Sequence, residues 1–530
     1  MNNVVLVGFM GSGKTTVGRA LADQTRRSFI DLDEEIATDA GRSISEIFAD
    51  EGEAGFRERE SRGLERALRR DDAIIAAGGG APLRDENWRE MRSGNCVVAL
   101  TAEPAELARR LNRPKGRPLL QPDVPSAIAA LLPTRMARYL EADLVFSTDG
   151  KPAAEISRHI DARLPRGGLH RISIDVPGAA HEVTVGFHLA NLAAQALRRL
   201  AASRPIMVVS DSVGAGRHID PLIEALKSAG VSAAVHLVPA GEAAKELGVL
   251  STIYGALADD GIDREGVLVS LGGGCVGDVA GFAAATWMRG IRYVQMPTTL
   301  LAMVDSSIGG KTAINLPAGK NLAGAVHQPV AIFSDLEYPE TLADAEFRSA
   351  LAEITKVALV ADRSFVDWLS VNLVALLGRD KPAMLEAVRW AVAIKAGVVS
   401  RDPHETGERA ILNYGHTVGH ALERAAGFGR LRHGEAVAWG MEVAGRLSLS
   451  SGAGTPEAVR TQHALLQRAG LLANRPEVKR ADLWQALRHD KKSQAGALRF
   501  VLLREIGRAD YGCEVDPNLV WDTLAKVLSL

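Results

Sequence analysis

Cysteine is almost missing from this chain. Its 530 residues include only Cys96, Cys275 and Cys513, far apart and never paired as CxxC. That excludes a disulfide framework and fits a reducing, cytoplasmic setting. Net charge is equally scarce: 62 Lys+Arg face 64 Asp+Glu, for −2 overall. No global field therefore selects nucleic acid or an anionic membrane as a partner. No internal repeat and no low-complexity tract is visible. The opening residues lack a basic stretch followed by an apolar core and a small-residue cleavage site, so no signal peptide is expected. A single long apolar run, Gly266 to Met288, invites a membrane reading. Its triple glycine and its one charge, Asp278, would be costly in a lipid-facing helix, so it reads as buried strand, turn and helix.

What is present is the composition of a soluble globular protein, 47% hydrophobic and 24% charged. The length suggests about three or four domains. Residues 1–164 alternate strand and helix signals ("VVLVGF", "SFIDLD", "AIIAAGGG", "NCVVAL"), the pattern of a parallel sheet covered by helices. "LPRGGLH" supplies linker punctuation at 165–169. A second α/β series fills 170–337, with strands "RISIDV", "HEVTVG", "PIMVVSD", "AAVHLVP", "GVLVSLGGG", "RYVQMPTT" and "AIFSD". From 338 to 530 the β-rich runs fade. Met384, Val388, Ala391, Ile394 and Val398 fall at helical spacing, so this part reads as mostly helical. The expected class is α/β: a P-loop domain, a Rossmann-like domain and a helical domain.

Gly8 to Thr15, "GFMGSGKT", fits G-x-x-x-x-G-K-[ST] between a strand and a helix. Backbone N–H groups of Gly11, Ser12, Gly13, Lys14, Thr15 and Thr16 can curl around phosphate oxygens, helped by the helix N-terminus. Lys14 would neutralise the β/γ-phosphates and Thr15 would bind Mg²⁺. Strand alternation in "FIDLD" puts Asp31 and Asp33 on one face near a strand end. One carboxylate could orient an attacking hydroxyl while the other supports the metal. Arg57 and Arg135 in "TRMARY" suit an acidic acceptor, since arginine pairs bidentately with carboxylate, and the glycine backbone of "AAGGGAP" can approach a ligand closely. Arg117, in the broken basic loop "NRPKGRPLL", could cover the γ-phosphate as a lid does.

With "DLD", "GRSISEIF", "GEAGFRERE", "GGG" and "GRPLL" in order, residues 1–164 resemble shikimate kinase. The resemblance implies that Asp33, Arg57, Gly79 and Arg135 hold shikimate. It also implies that Asp31 lies near Mg²⁺ and that Arg117 is the lid arginine. "RMARY" departs from the family in lacking a proline between arginine and tyrosine.

Further on, Gly272-x-Gly274-x-x-Gly277 follows an apolar strand and matches a dinucleotide fingerprint, although the usual acidic residue about twenty positions later is missing. "IGGKT" fails the spacing of a second P-loop. His416 and His420 stand one helical turn apart, His433 follows in "LRHGEAVAWG", and Glu353 precedes Lys356 by three residues. Spacing alone would make both His416 and His420 metal ligands, with a carboxylate as a further one.

The stretch "SLGGGCVGDVAGFAAATWMRGIRYVQMPTTLLAMVDSSIGGKTAINLPAGKNLAGAVHQP" resembles 3-dehydroquinate synthase along its length, as do "LNYGHTVGHALE", "RHGEAVAWGM" and "HDKKS". The resemblance runs from about residue 170 onward. It implies a zinc or cobalt site of Glu353, His416 and His433, with His420 contacting substrate. It places NAD against Gly241, Glu242, Lys245, Glu246, Gly274, Cys275, Val276, Gly277, Asp278, Thr298 and Thr299, with Lys311, Lys320, Tyr338 and Thr341 nearby and Asp211 on the adenosine ribose. Asp305, Lys311, Asn321, Lys356, Lys395, Arg409, Asn413, His420 and Lys491 map onto positions used around the substrate. Cys275 replaces a branched aliphatic residue, and Pro403 stands where an acidic residue is frequent.

The implied chemistry is transient oxidation of 3-deoxy-D-arabino-heptulosonate 7-phosphate by NAD⁺, loss of phosphate, return of the hydride, ring opening and aldol closure. Together the halves imply a bifunctional enzyme of the shikimate pathway, with small-molecule substrates and a homodimer through the second half. The rival readings are a related sugar-phosphate cyclase or zinc alcohol dehydrogenase in that half, and a first half that only binds nucleotide.

Overall fold

The computed structural model describes residues 3–111, 123–213, 215–427, 430–488 and 498–529, with backbone only at 166, 215 and 216. The chain divides into two compact units. The first is 1–171, 186–203 and 221–232; the second is 172–185, 204–220 and 233–530.

In the first unit, strands β1 (Val4–Val7), β2 (Ser28–Asp31), β3 (Ala73–Ala76), β4 (Cys96–Thr101) and β5 (Leu144–Ser147) form one sheet in the order β2-β3-β1-β4-β5. Every pairing is parallel. β1 and β3 are wholly buried apolar runs, as strands covered on both faces must be. The helices between them pack Ile36, Ile47, Phe56, Leu64, Trp88, Leu107 and Tyr139 against the sheet's core residues.

Among the described residues, nine further strands follow before residue 340. They are β6 (Arg166–Ile174), β7 (His181–Phe187), β8 (Ile206–Asp211), β9 (Ala233–Val238), β10 (Val267–Gly272), β11 (Arg292–Pro297), β12 (Lys311–Leu316), β13 (Gly319–Val326) and β14 (Ala331–Asp335). Seven of them make a sheet ordered β6-β7-β14-β11-β10-β8-β9, parallel from β14 to β9. Residues Arg166 to Leu169, read above as linker, begin β6. The apolar run from Gly266 resolves into buried β10 and helix Gly274–Thr286. No described helix is long and apolar enough to cross a membrane.

β12 and β13 form an antiparallel hairpin, and β15 (Arg499–Glu505) pairs antiparallel with β16 (Arg508–Glu514) inside the part read as helical. β15 buries its middle in one block and β16 buries no residue, so neither shows the alternation of a half-buried strand. The helices Asp344–Ala361, Lys381–Arg401, His416–Ala426 and His433–Ser450 make the layer that carries the second site. They approach closely: a Cβ on Gly440 would lie 1.9 Å from the carbonyl oxygen of Gly415, and one on Gly434 would lie 1.8 Å from that of Ser349. Only glycine at 434 and 440 allows that spacing.

Two candidate active sites

In the first unit the chain order reverses at β1, and open α/β sheets bind ligands at the C-terminal end of such a strand. The loop leaving β1 there runs into helix Lys14–Thr25 with Gly8, Gly11 and Gly13 at φ 143°, 80° and 96°. Its curl leaves backbone N–H groups at a helix N-terminus, which favours anions. Lys14 Nζ folds back to donate to the carbonyls of Gly8 (2.9 Å) and Phe9 (3.2 Å). Ser12 is buried beneath the loop.

The Thr15 hydroxyl donates to Asp31 Oδ2 at 2.7 Å, while Asp31 Oδ1 accepts the backbone N–H groups of Asp33 and Glu34 at 3.1 and 3.4 Å. Asp31 therefore ends β2 and caps helix Leu32–Ala40. Asp33 sits in that helix rather than on the strand face that alternation suggests, because an N-cap carboxylate turns the chain at once. Both still line the same cavity of about 670 Å³, together with Gly11, Gly13, Lys14, Thr15, Thr16, Arg57, Gly79 and Arg135.

Arg57 pairs with Glu60 at 2.7 Å and Glu53 at 3.0 Å. Burial pushes the Glu60 carboxyl up, and Arg57 opposes that shift. The buried Arg135 guanidinium lies 5.6 Å from the Phe9 ring centroid. Tyr139 donates to the Gly79 carbonyl at 2.6 Å, and burial raises its phenol to about 12.

Sequence reasoning missed Arg110. It donates to the Gly11 carbonyl at 3.2 Å and to Thr148 Oγ1 and O at 2.9 and 2.8 Å, while Glu106 accepts from its Nε at 2.6 Å. Gly11 and Thr148 are 99 and 38 residues away and its near partner Glu106 forms an ordinary i, i+4 pair, so no local motif marks it. Arg117 lies outside the described residues.

In the second unit, Gly274 to Asp278 open the helix after β10, and the Thr298 N–H donates to the Gly272 carbonyl at 2.9 Å. Gly241 to Lys245 form a short turn whose Glu242 accepts from Asn315 (2.8 Å) and Lys320 (2.9 Å). Buried Lys245 is ion-paired to Asp278 and hydrogen-bonded to Asn321. Glu246 stands at the N-cap position of the next helix without a side-chain capping hydrogen bond, and Thr299 accepts the Ala302 N–H at 3.1 Å. Asp211 ends β8 and accepts the Val213 N–H at 2.9 Å. Tyr338 is buried with its ring centroid 4.6 Å from that of His218, and the Thr341 hydroxyl donates to the Tyr338 carbonyl at 2.9 Å.

A cavity of about 580 Å³ is lined by Asp278, Asp305, Lys311, Asn321, Lys356, Lys395, Arg409, Asn413 and His416 from the expected set, and by Glu405, which was not expected. Glu405 is ion-paired to Lys311 and accepts from Asn413 at 2.6 Å. Lys395 is ion-paired to Asp305 and donates to its carbonyl at 2.6 Å. Asp402 accepts the backbone N–H groups of Thr406, Gly407 and Arg409 at 3.0, 2.8 and 3.0 Å, which fixes the loop bearing Glu405 and Arg409. Lys491 lies outside the described residues.

Beside this cavity Glu353, His416 and His433 converge, their ligand atoms within 4.8 Å of one another. Glu353 Oε1 is 3.6 Å from His416 Nε2 and 3.6 Å from His433 Nε2. Two ligands of one tetrahedral zinc ion stand about 3.4 Å apart, given bonds of about 2.0–2.2 Å. The cluster therefore fits a divalent cation with little movement. Glu353 Oε1 is also buried with no hydrogen-bond partner among the described residues, and a buried carboxylate oxygen calls for one.

Burial opposes charge on Glu353, but Lys356, His416 and His433 hold its carboxyl well below the ordinary range. Burial and Lys356 hold His416 far below the usual imidazole range, in the neutral form a metal needs. Burial also works against charge on His433, yet Glu353 and Glu423 push it up to about 10. His420, the other residue favoured by spacing, has its ring 5.2 Å from that of His416 and groups with Glu423 and His433 instead.

The family model for shikimate kinase matches residues 10–165. Those for the 3-dehydroquinate synthase N-terminal and C-terminal parts match 235–349 and 350–493. A 3-dehydroquinate synthase of Paracoccus denitrificans (strain Pd 1222) is 42% identical over 365 residues, 68% of this chain and 99% of the relative. Among solved structures, a 2-deoxy-scyllo-inosose synthase complexed with carbaglucose-6-phosphate, NAD⁺ and Co²⁺ aligns with TM-score 0.63 and 25% identity. The match covers 68% of this chain and 99% of that one. A 2-epi-5-epi-valiolone synthase of Streptomyces hygroscopicus subsp. jinggangensis 5008 with NAD⁺ and Zn²⁺ bound aligns with TM-score 0.61 and 27% identity, covering 66% and 97%.

Proposed function

Because the chain belongs to the 3-dehydroquinate synthase family and joins a shikimate kinase domain to it, we propose that it is a two-site enzyme. The first cavity phosphorylates shikimate with ATP to shikimate 3-phosphate. The second converts 3-deoxy-D-arabino-heptulosonate 7-phosphate to 3-dehydroquinate and phosphate. Residues 1–164 carry the first reaction, 165–169 join the parts through the start of β6, 170–337 bind NAD, and 338–530 bind metal and substrate. Pairing of two copies through the synthase portion and a cytoplasmic setting belong to the same reading.

In the first cavity the Gly11–Thr16 backbone and Lys14 hold the nucleotide phosphates, with Thr15 and Asp31 on Mg²⁺. Arg57, Gly79 and Arg135 hold the acceptor, and Asp33 orients the attacking hydroxyl. Arg117 is the lid arginine of this reading. The Thr15–Asp31 hydrogen bond of 2.7 Å supports the metal assignment, because it brings a hydroxyl and a carboxylate to one point at the loop's edge.

In the second cavity Glu353, His416 and His433 would hold Zn²⁺ or Co²⁺. NAD would lie along Gly241–Glu246, Gly274–Asp278, Thr298 and Thr299, with Asp211, Lys311, Lys320, Tyr338 and Thr341 around it. When bound, the ion polarises the hydroxyl to be oxidised, and the nicotinamide takes and returns one hydride. The chain's own groups do the rest. Lys311, Lys356, Lys395, Arg409 and Lys491 neutralise the substrate's phosphate and carboxylate. Asn321, Asn413 and His420 fix its hydroxyls, and Asp305 orients the Lys395 ammonium.

The observation that carries this reading is that each unit holds its own cavity and the two share no lining residue. The 42% identity to a 3-dehydroquinate synthase, against 25% and 27% to the two other cyclases, favours the heptulosonate over their substrates. The test is to assay the full chain on both substrates, with Lys14→Ala and His416→Ala variants. Each change is expected to abolish one activity and spare the other. Loss of both activities in both variants would refute independent sites.

A further inference from the structure

His416 and His433 present themselves to Glu353 in the same way. Each turns Nε2 toward Glu353 Oε1, at 3.6 Å, and each places Nδ1 against another oxygen. For His416 that oxygen is the backbone carbonyl of Tyr414, at 3.3 Å. For His433 it is a side-chain carboxylate, Glu423 Oε2, also at 3.3 Å. Glu423 follows His416 and His420 at helical spacing on helix His416–Ala426, while His433 is the first residue of the helix that starts after the connecting segment. The Glu423 side chain is 17% exposed, and His433 is its one ion-pair partner among the described residues.

We propose that Glu423 is a positioning residue for the divalent metal. Its carboxylate accepts the Nδ1–H of His433, fixes the tautomer whose Nε2 lone pair faces Glu353, and strengthens that nitrogen as a ligand. Metal-bound histidines ordinarily donate their other ring N–H to a carboxylate, carbonyl or water, and removal of that partner costs roughly 10- to 100-fold in metal affinity. The two histidines are thus held unequally. Main chain restrains His416 and no side-chain substitution deletes that acceptor, whereas the restraint on His433 is a carboxylate that mutation can remove. The inference rests on the metal reading of Glu353, His416 and His433 proposed above.

Zn²⁺ alone, titrated into the metal-stripped full-length chain against a chelator of known affinity, supplies a readout independent of turnover. Glu423→Ala is expected to weaken Zn²⁺ roughly 10- to 100-fold, and Glu423→Gln by less, since an amide oxygen still accepts from Nδ1. The Co²⁺-loaded variants are expected to keep the visible spectrum of the parent, because Glu423 is not itself a ligand. Far-UV circular dichroism and the thermal unfolding of the same samples report that the unit carrying Glu423 is folded. Zn²⁺ affinity within twofold of the parent in both variants overturns the proposal. So does a Co²⁺ spectrum showing the loss of a ligand, which would make Glu423 part of the first coordination sphere. His416→Ala run in parallel separates the two levels: if it leaves Zn²⁺ affinity unchanged, the metal reading itself fails. If it abolishes binding while the Glu423 variants do not weaken it, only the positioning role fails.

Discussion

The two cavities are built by opposite means. The first sits at the end of one five-stranded sheet, and its central feature is main chain: a glycine loop, a helix N-terminus and a lysine folded onto two carbonyls. The second is side chain throughout. Glu353 and Lys356 come from one helix, Lys395 from another, His416 from a third and His433 from a fourth, with Lys311 on a hairpin facing them. Phosphate can be held by oriented peptide dipoles, so its site is compact in sequence. A metal ion needs deprotonated or neutral side-chain donors converging from several directions, so its site is dispersed. The first design is therefore expected to tolerate loss of a neighbouring side chain better than the second.

Deleting a ligand is therefore the sharpest way to test the contrast. His416→Ala, or removal of metal by a chelator, is expected to lower heptulosonate conversion on the order of 10³- to 10⁴-fold, since a bound ion supplies several kcal/mol at the developing charge. Shikimate phosphorylation is left within twofold. Phosphate release and ADP release, assayed separately on one preparation, give both numbers. Lys14→Ala should reverse the pattern but with a smaller loss, about 10²- to 10³-fold in phosphorylation, because the loop's backbone donors remain. If the Lys14 loss equals or exceeds the His416 loss, the contrast between main-chain and side-chain sites is wrong.

Legibility followed the same division. "GFMGSGKT" could be read directly because every group that matters lies within eight residues of chain. In the second site the i, i+4 pair His416 and His420 looked like a ligand pair, yet Glu353 sits against Nε2 of His416 and His433. Helical spacing reports which residues share a face and says nothing of what a separate helix brings to that face. The family resemblance, not the periodicity, pointed to His433. Asp33 was misplaced locally because strand alternation cannot register that Asp31 caps a helix. Arg110 and Glu405 left no signal, since each matters only through partners brought to it by tertiary structure. The β15–β16 hairpin was missed because β15 is buried in one block and β16 buries no residue, so neither alternates.

Asp402 offers a way to weaken the second site without touching the cavity. Its carboxylate accepts three backbone N–H groups and so shapes the loop that presents Glu405 and Arg409. Asp402→Ala releases those donors. A displacement of about 1 Å in a positioning group can cost up to about 10²-fold, so heptulosonate kcat/KM should fall by tens of times, mostly through KM. Zn²⁺ affinity should hold, because Glu353, His416 and His433 lie on other elements. An unchanged KM would show that the loop keeps its shape without the carboxylate.

The smallest expected effect lies in the first unit. Tyr139 is its one tyrosine among the described residues; it donates to the Gly79 carbonyl at 2.6 Å. Burial favours the neutral phenol and raises it from 10 to about 12. A folded-state value above the unfolded one means that this contribution is fully present below pH 10. It is lost as pH rises toward about 12. Tyr139→Phe removes one neutral hydrogen bond, about 1 kcal/mol, and should raise the shikimate KM by no more than about fivefold. Because the variant cannot ionise there, its kinase activity should resist alkaline unfolding relative to the parent over the same window. Denaturant midpoints followed by kinase activity at about pH 9 and about pH 11 measure the difference. Parallel slopes for the two proteins would mean that the phenol is not the group that titrates.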